Sequence, residues 1–389
     1  MVDLPIYLDA QATSRIDKKV SDAMLAYWSA GHGNPHSPHD HGQRAKNEVV
    51  RSLNTIAEFI GCLPRELTIT SGSTFANNLA LKGIEHYLEK GRDKILISAI
   101  EHPCILETAN YMQKQRGFQT VIIPVTKEGF IDISFLENTI DSKTAIVSVM
   151  LGNNEIGTIQ EIKRVADITH KFGALFHTDA TQAAGRIPLD VLEFDCDMMS
   201  ISAHKMSGPI GIGALFVKND IELTPIIHGG EQQYFSSGTI SPELCVGFAA
   251  ACELFNNYDY ITATRNLTNL INKFEKGLVK SGFEIIKNGP QNDPRRLPGT
   301  TNLTFLNANL TEMQTWLTPY VSFSSRSACA SNKEDASHVL EAIGLNQIQS
   351  ENTARFSINA NTAGEEIQLA LDYFQKFLSS ISKSKSFKT

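Results

Sequence analysis

The sequence has no long apolar run and no excess of basic residues. No window approaches the roughly eighteen uninterrupted apolar residues that a membrane-spanning helix needs, and the start MVDLPIYLDA lacks a basic region followed by an apolar stretch. The 35 Lys and Arg are outnumbered by 42 Asp and Glu, which gives a formal net charge of -7. Because phosphate binding depends on clustered cations, this balance disfavours nucleic acid as a main partner. We therefore expect a soluble cytoplasmic protein with neither a membrane nor a nucleic-acid partner.

Cysteine is also scarce, with six in 389 residues and no CxxC pair or zinc-like spacing among them. A disulfide framework is not expected in so long a chain, and most of the six should be small buried side chains. Cys329 differs because it lies in the polar stretch SFSSRSACASNKEDAS. An exposed thiol is a liability unless it is used, so Cys329 is a candidate reactive group.

The amino-acid composition is that of a globular protein, with 42% hydrophobic and 20% charged residues. Short β-branched runs alternate with longer segments of helical periodicity such as CILETANYMQKQRG and EIKRVADITHKFG. The strand-like runs are KILISA, TVIIPV, TAIVSVML, GALFHTDA, DMMSISA and IGALFV. This alternation predicts an α/β fold built from parallel βαβ units, with helices on both faces of the sheet.

The pattern changes near residue 257. Beyond it come a long helix, two strand-like runs, the segment around Cys329 and a final helix after Asn361. We therefore predict a large domain at 15–257. A smaller α+β domain is predicted from 258–389 together with 1–14, and it carries the Cys329 loop at about 324–336.

Polar residues follow several predicted strands, where ligands of α/β sheets bind. The turn SGST opens a helix and offers N–H groups and hydroxyls to a phosphate, although the same residues also make an ordinary N-cap. Asp179 and Gln182 come after the strand-like run GALFH. Ser202, His204 and Lys205 come after the next one, DMMSI.

Lys205 and Asp179 are one βα unit apart, which places them on neighbouring strand ends. A lysine is most often a solvated surface charge, but this one accompanies a phosphate turn and a carboxylate. Lysine supplies a Schiff base to pyridoxal phosphate, an aspartate keeps the pyridinium nitrogen protonated, and the phosphate anchors the cofactor. The three parts together predict a pyridoxal-phosphate site.

Ten stretches, in order, resemble the NifS/IscS-type cysteine desulfurases of the class V group of fold-type I pyridoxal-phosphate enzymes. They are IYLDAQATS, GNPHSPHDHGQRA, TSGSTFANNLAL, EHPCILET, GNNEIGTIQEI, HTDATQAAGRIP, SISAHKMSGPIGIGALF, SSGT, RSACASNKEDASHVLEAIGL and ARFSINANT. The resemblance runs nearly end to end. It implies a large domain with a mostly parallel mixed sheet and a smaller α+β C-terminal domain.

The resemblance also implies roles for individual residues. Lys205 would hold the cofactor as a Schiff base and then carry protons, His102 would stack on the ring and assist proton transfer, and Cys329 would be the nucleophile. The implied cofactor-binding residues are Ser73, Thr74, His102, Asn154, Asp179, Gln182, Ser202, His204, Lys205 and Thr239, the last from a second subunit. The implied substrate-binding residues are Asn34, Asn154 and Arg355, whose planar guanidinium suits a carboxylate.

The implied reaction converts L-cysteine to L-alanine and leaves the sulfur on Cys329 as a persulfide. A homodimer, a moving Cys329 loop and a protein sulfur acceptor, such as an iron-sulfur scaffold or a sulfurtransferase, follow from the resemblance. Two alternatives remain open. One is a selenocysteine lyase or other class V enzyme that does not use Cys329, and the other is a weakly active relative that serves mainly as a subunit of a sulfur-transfer complex.

The chain departs from the family pattern at Phe75, Ser236 and Arg326 and in DAQATS near the start. These departures bear on turnover, substrate entry and partner choice, and Arg326 would favour the thiolate of Cys329. The run HGNPHSPHDH carries four histidines, but no cysteine or carboxylate pattern accompanies them beyond Asp40. We therefore expect no metal site.

Overall fold

The structure is a computed structural model that describes residues 4–230, 232–256, 259–291, 294–325 and 337–386. The helices in these ranges are α1 (Lys18–Ala30), α2 (Asp40–Ile60), α3 (Ser73–Lys82), α4 (Pro103–Arg116), α5 (Ile133–Thr139), α6 (Ile162–Lys171), α7 (Val191–Phe194), α8 (Pro242–Asn256), α9 (Tyr260–Lys280), α10 (Leu310–Leu317), α11 (His338–Ala342), α12 (Gln347–Glu351) and α13 (Gly364–Ser386). The strands are β1 (Ile6–Tyr7), β2 (Leu67–Thr70), β3 (Lys94–Ser98), β4 (Gln119–Ile123), β5 (Thr144–Ser148), β6 (Leu175–Asp179), β7 (Met198–Ser202), β8 (Gly213–Val217), β9 (Ile285–Lys287), β10 (Thr300–Phe305), β11 (Val321–Ser322), β12 (Ser324–Ser325) and β13 (Thr353–Ser357).

The central sheet has seven strands in the order β2-β8-β7-β6-β5-β3-β4. Strands β3 to β7 pair in parallel, as the alternation of strand-like and helical segments predicts. Strand β8 runs antiparallel to both of its neighbours, β2 and β7. Two antiparallel steps restore the direction, so β2 points the same way as β7 and its carboxyl end lies on the same edge of the sheet.

Both faces of this sheet are buried, and successive residues of a strand belong to different hydrophobic clusters. Met199 and Phe216 face the cluster that contains residues of α1, α2, α6 and α8. Their chain neighbours Met198 and Leu215 face the cluster that contains residues of α3 and α4. A strand alternates its side chains between two faces, so this division gives a sheet covered on both sides, as expected.

A second sheet of four antiparallel strands has the order β12-β13-β10-β9. The start of the chain contacts this sheet through an isolated bridge between Asp9 and Ser357 of β13. Strand β1 pairs in parallel with β11 in a separate two-stranded sheet. Ile6 and Leu8 are buried in one hydrophobic cluster with residues of α9, β10, β13 and α13.

The division of the chain into 15–257 and the remainder stays a prediction, and its boundary at 257–258 lies outside the described residues. The α/β class with a mostly parallel mixed sheet agrees with the sequence. The first residues of the chain reach both sheets, since Ser14 contacts the turn after β7 while Leu8 contacts β13.

Candidate active site

Lys205 lies in the short 3-10 turn that follows β7, at the carboxyl edge of the central sheet. Its Nζ donates to the backbone oxygens of Gln11 and Ala12, both at 2.7 Å. Ser14 fastens this part of the chain to the same turn, because its Oγ donates to the His204 oxygen at 2.7 Å. The N-terminal segment therefore positions the lysine, which is not a solvated surface charge.

The turn that carries Lys205 is under backbone strain. Ser207 has a φ of 62°, in the left-handed region that a residue with a Cβ seldom adopts. Its N–H donates to Ser14 Oγ at 2.7 Å, and its oxygen accepts from the Asp17 N–H at 3.0 Å. These bonds hold the conformation in place, a pattern typical of functional sites.

Asp179 is the last residue of β6, beside the end of β7. It is buried, with Oδ1 accepting from the Thr181 N–H at 2.9 Å and Oδ2 accepting from Asn77 Nδ2 at 2.7 Å. A carboxylate this deep needs such donors. Its charge acts on both His102 and Cys104, so these groups share one site with Asp179.

His102 is the N-cap of α4, whose first residue is a proline. Its Nδ1 accepts from the Cys104 N–H at 3.2 Å and lies 3.0 Å from Cys104 Sγ. Burial lowers the pKa of His102, the charge of Asp179 opposes this, and Lys205 and His338 add to the lowering. The structure therefore brings His102, Asp179 and Lys205 together, as the resemblance implies.

The start of α3 offers backbone N–H groups that could hold an anion. Because the N-cap of α3 is Gly72, no side-chain oxygen of that residue covers the first N–H groups of the helix. Ser202 Oγ lies 3.9 Å from the point that a Cβ on Gly72 would occupy, and a Cβ on Gly213 would lie 2.9 Å from Gly72 Cα. The turn, the end of β7 and the start of β8 thus meet closely, and two positions favour glycine: Gly213 because a Cβ there would clash with backbone, and Gly72 because its φ is 142°.

His204 stands at the same edge, with its Nδ1 3.2 Å from Thr13 Oγ1. Burial, assisted by the Lys205 charge, lowers the pKa of His204 to about 4. The ring is therefore neutral at neutral pH. Ser73 and Thr74 form the first turn of α3, and the Thr74 side chain is exposed.

Several buried polar atoms at this edge have no partner among the described residues. They are Nε2 and Oε1 of Gln11, Oε1 of Gln182 and Oδ1 of Asn77. Gln182 is 7% exposed and uses only Nε2, which donates to the Gln11 oxygen at 3.1 Å. Buried polar groups are normally paired. A phosphate cradle, a carboxylate, a lysine and unpaired amides within one site fit pyridoxal phosphate.

Arg355 is buried in β13 and faces the same edge from the smaller sheet. Its Nη1 donates to the Asn154 oxygen at 2.8 Å, and its Nη2 donates to Asp9 Oδ1 at 2.8 Å and to Ser324 Oγ at 3.0 Å. Its Nε has no partner among the described residues. Asn154 is also buried, so these two residues meet as the resemblance implies.

Other predicted residues lie at the surface or outside the described ranges. Asn34 is exposed, and its Oδ1 accepts from the His36 N–H at 2.9 Å. Thr239 is exposed in a groove that Ser71 and Phe75 also line. Cys329 and the departure at Arg326 lie outside the described residues, so the role of each stays a prediction.

The departures at Phe75 and Ser236 lie within the described residues. Phe75 is partly buried and packs against the hydrophobic cluster of α3 and α4. Ser236 is 5% exposed and lines the groove of Thr239. The groove has a volume of about 280 Å³.

The histidine-rich run forms a helix start. His39 is the N-cap of α2, with Nδ1 accepting from the Gly42 N–H at 3.2 Å, and His32 stacks on His41 with ring centroids 4.7 Å apart. Across the described ranges, no group of three or more His, Cys, Asp or Glu could hold a metal ion. In the same ranges no helix is both long and apolar enough to cross a membrane.

Sequence reasoning missed four residues that shape this site. They are Asp9, Gln11, Asn77 and Cys104. Asn77 lies one helical turn after the SGST motif, so helix periodicity could have placed it near that turn. Cys104 lies two residues after His102, so an N-cap at His102 could have indicated their contact. Asp9 and Gln11 lie in the stretch IYLDAQATS, but no local pattern predicts their contacts, because their partners lie 171 to 346 positions away.

The sequence matches the aminotransferase class-V family over residues 6–370. It is 37% identical over 373 residues to the cysteine desulfurase IscS of Rickettsia massiliae, an alignment that covers 95% of this chain and 90% of that protein. Among solved structures, a NifS-like protein superposes with a TM-score of 0.89 at 31% identity, covering 97% of this chain and all of the other. The structure of SspA in complex with cysteine gives a TM-score of 0.80 at 30% identity, covering 92% and 99%.

The fold and the site therefore define a pyridoxal-phosphate-dependent enzyme of fold type I. The chain belongs to the aminotransferase class-V family and, within it, to the cysteine desulfurases of the NifS/IscS type. The resemblance drawn from the motifs, the fold class and the cofactor are thereby confirmed.

Proposed function

We propose that this chain releases sulfur from L-cysteine, forms L-alanine and passes the sulfur to an acceptor by way of Cys329. The observation that carries the proposal is the meeting of Lys205, Asp179 and His102 with a buried arginine at one edge of the sheet. The known relatives named above support the reaction, and SspA was solved with cysteine bound.

Pyridoxal phosphate supplies an electron sink that weakens the bonds to the α-carbon of a bound amino acid. Lys205 would hold it and afterwards carry a proton on its Nζ. Asp179 would pair with its ring nitrogen, and His102 would lie beside the ring. Its phosphate would be held by the first turn of α3 at Ser73 and Thr74 and by Ser202 and His204.

The substrate carboxylate is assigned to Arg355. Asp9 and the Asn154 oxygen already fix the plane of its guanidinium, and Nε remains as a donor. A fixed fork loses little freedom when it binds an anion, which favours recognition of a carboxylate. Asn34 and Asn154 complete the proposed substrate site.

Cys329 takes the sulfur as a persulfide. An S–S bond forms as the C–S bond of the substrate breaks, and the electron pair of that bond stays with the three-carbon product. The acceptor of this sulfur is proposed to be a protein, such as an iron-sulfur scaffold or a sulfurtransferase. Movement of the Cys329 loop and a cytoplasmic location stay predictions.

A homodimer is also part of the proposal. Thr239 is exposed beside the phosphate turn, and the neighbouring Tyr234 is 87% exposed. A second copy would cover this surface and bring its own Thr239 to the phosphate. Sedimentation of the cofactor-loaded protein checks this directly, and a monomer that retains full cofactor would contradict it.

The experiment for the reaction measures alanine and sulfide from L-cysteine with added reductant. The wild type is compared with Cys329→Ser, Lys205→Ala and the control Cys62→Ala. We expect both products from the wild type and the control, and loss of sulfide from Cys329→Ser and Lys205→Ala.

Two outcomes would contradict the proposal. Undiminished sulfide release by Cys329→Ser would favour a class V enzyme that does not use this thiol. Binding of cysteine without any sulfide from the wild type would favour a weakly active subunit of a sulfur-transfer complex.

A further inference from the structure

Four side chains form one hydrogen-bonded chain across the floor of the site. Asn77 Nδ2 lies 2.7 Å from Asp179 Oδ2 and 3.2 Å from Cys104 Sγ, and Cys104 Sγ lies 3.0 Å from His102 Nδ1. Asn77 is fully buried. The chain thus joins the carboxylate at the end of β6 to the imidazole at the start of α4.

The donors and acceptors of this chain can be assigned from chemistry. The Asn77 atom that faces the Asp179 carboxylate must be its NH₂ group, because an amide oxygen at 2.7 Å from a carboxylate oxygen would be repelled. The second N–H of that group then points to Cys104 Sγ, which accepts. The Thr74 hydroxyl also bonds to this sulfur, and we assign the thiol proton to His102 Nδ1, 3.0 Å away.

The backbone reinforces this direction. The Cys104 N–H donates to His102 Nδ1 at 3.2 Å as part of the helix cap. Since a backbone N–H is always a donor, Nδ1 must present its lone pair and the neutral ring carries its proton on Nε2. A proton on Nδ1 would face the hydrogens of the Cys104 backbone N–H and of the Cys104 thiol, and donor hydrogens repel each other.

We propose that Asn77 and Cys104 are positioning residues that link Asp179 to His102 and hold the His102 ring neutral, with its proton on Nε2. This inference rests on the proposed function, in which His102 covers the cofactor ring. The ring then presents a fixed N–H donor at Nε2 and adds no positive charge to a site that already holds Lys205.

The other groups around His102 act in both directions. Asp179 favours the protonated ring, whereas burial, Lys205 and His338 oppose protonation. His338 approaches from α11, where its Nε2 lies 2.8 Å from the Glu101 oxygen. Cys104 itself stays a neutral thiol, because burial and the Asp179 charge raise its pKa to about 12.

The test follows the protonation of His102 by NMR in the full-length holoenzyme with ¹⁵N-labelled histidine, between pH 5 and 9, with His102→Gln used for assignment. We compare the wild type with Cys104→Ala, which removes the thiol donor, and Cys104→Ser, which retains a donor. Cys62→Ala is the control, since Cys62 is a partly buried thiol whose pKa burial also raises to about 12.

We expect Nδ1 of wild-type His102 to be unprotonated at neutral pH. Cys104→Ala should raise the pH at which the ring takes up a proton by about one unit, a tenfold change in proton affinity. Cys104→Ser and Cys62→Ala should keep the wild-type profile. Asn77→Leu, which removes both amide donors at similar volume, should shift the profile in the same direction as Cys104→Ala.

A wild-type proton on Nδ1, or a profile that Cys104→Ala leaves in place, would overturn the inference. Repeating the titration after removal of the cofactor tests the inference separately from the proposed function. The link from Asp179 through Asn77 and Cys104 to His102 lies within the protein, so the His102 profile should persist without the cofactor. A wild type that makes no sulfide but keeps the expected His102 profile would contradict only the proposed function. Sulfide release with an unmoved Cys104→Ala profile would contradict only the inference.

Discussion

Arg355, which is buried, and Asp9, which is partly buried, form an ion pair with Nη2 2.8 Å from Oδ1, although 346 positions separate them in the sequence. The pair fastens the first residues of the chain to β13. It also sets the plane of the arginine that we assign to the substrate carboxylate. One contact therefore serves the fold and the proposed substrate site together.

The first prediction concerns the arginine. Arg355→Lys keeps the charge but removes the guanidinium, whose Nε is the donor assigned to the substrate carboxylate, so one charge-assisted hydrogen bond is lost. We expect the KM for L-cysteine to rise about tenfold or more, since a charge-assisted hydrogen bond contributes roughly 1.5 to 3 kcal/mol. Steady-state kinetics measure this, and an unchanged KM would exclude Arg355 from carboxylate binding.

The second prediction concerns its partner. Asp9→Asn leaves the buried Arg355 charge without a carboxylate, and we expect the free energy of unfolding to fall by about 3 kcal/mol. Asp22→Asn is the matched control, because Asp22 pairs with Lys18 at the exposed surface of α1 and should cost about 0.5 kcal/mol or less. Urea unfolding of the cofactor-loaded proteins compares the two. Equal losses would show that the Asp9 pair is no stronger than a surface pair.

The third prediction concerns the cradle of backbone at the phosphate turn. A Cβ on Gly213 would lie 2.5 Å from the Ile201 oxygen and 2.9 Å from Gly72 Cα, so backbone must move. We expect Gly213→Ala to cost about 1 to 3 kcal/mol and to weaken cofactor retention after dialysis. Gly364→Ala is the control, since its Cβ would meet only Leu270, at 3.8 Å. Full cofactor retention by Gly213→Ala would show that this turn does not bind the phosphate.

The fourth prediction concerns pH and His177 in the middle of β6. Ser148 Oγ and Ser200 Oγ lie 2.8 Å and 3.1 Å from its two ring nitrogens, and burial lowers its pKa to about 4. The unfolded chain binds a proton below about pH 6.5, whereas the folded protein does so only near pH 4. The stabilisation by neutral His177 is therefore complete above pH 6.5 and is lost progressively as the pH falls towards 4.

Urea unfolding of the wild type and His177→Gln between pH 7 and 4.5 measures this contribution. The difference in pH dependence should reach about 2 kcal/mol, at roughly 1.4 kcal/mol per pH unit.

His170 provides the opposite case, because its hydrogen bond to Asp197 raises its pKa. Stabilisation by His170 is present below pH 6.5 and declines as the pH rises, so His170→Gln should change the slope on the alkaline side. If the free energies of unfolding of wild type and His177→Gln changed with pH in parallel, His177 would not be the source of the predicted loss of stability in acid.

Much of the fold could be predicted from local patterns. The six runs of β-branched residues became β3 to β8, and the helical segments before Gly117 and after Glu161 became α4 and α6. The antiparallel direction of β8 could not be read in this way. A buried strand has the same side-chain pattern in either direction, and only the short connection after β7 and the pairing with β2 decide it.

The sequence by itself determined the chemistry that is available and its place on the strand ends. Asp179 ends a buried strand, and Lys205 and the SGST turn follow two others. The carboxyl ends of parallel strands meet at one edge because of the geometry of the sheet.

Only the tertiary structure decided how these groups are held. The pairing of Arg355 with Asp9, the contact of Lys205 with the Gln11 oxygen and the link from Asp179 through Asn77 and Cys104 to His102 join distant parts of the chain. Such contacts follow from the packing of one sheet edge against the smaller sheet and the first residues of the chain. No local periodicity encodes them, because each side chain takes its partner from what the fold brings within hydrogen-bonding distance.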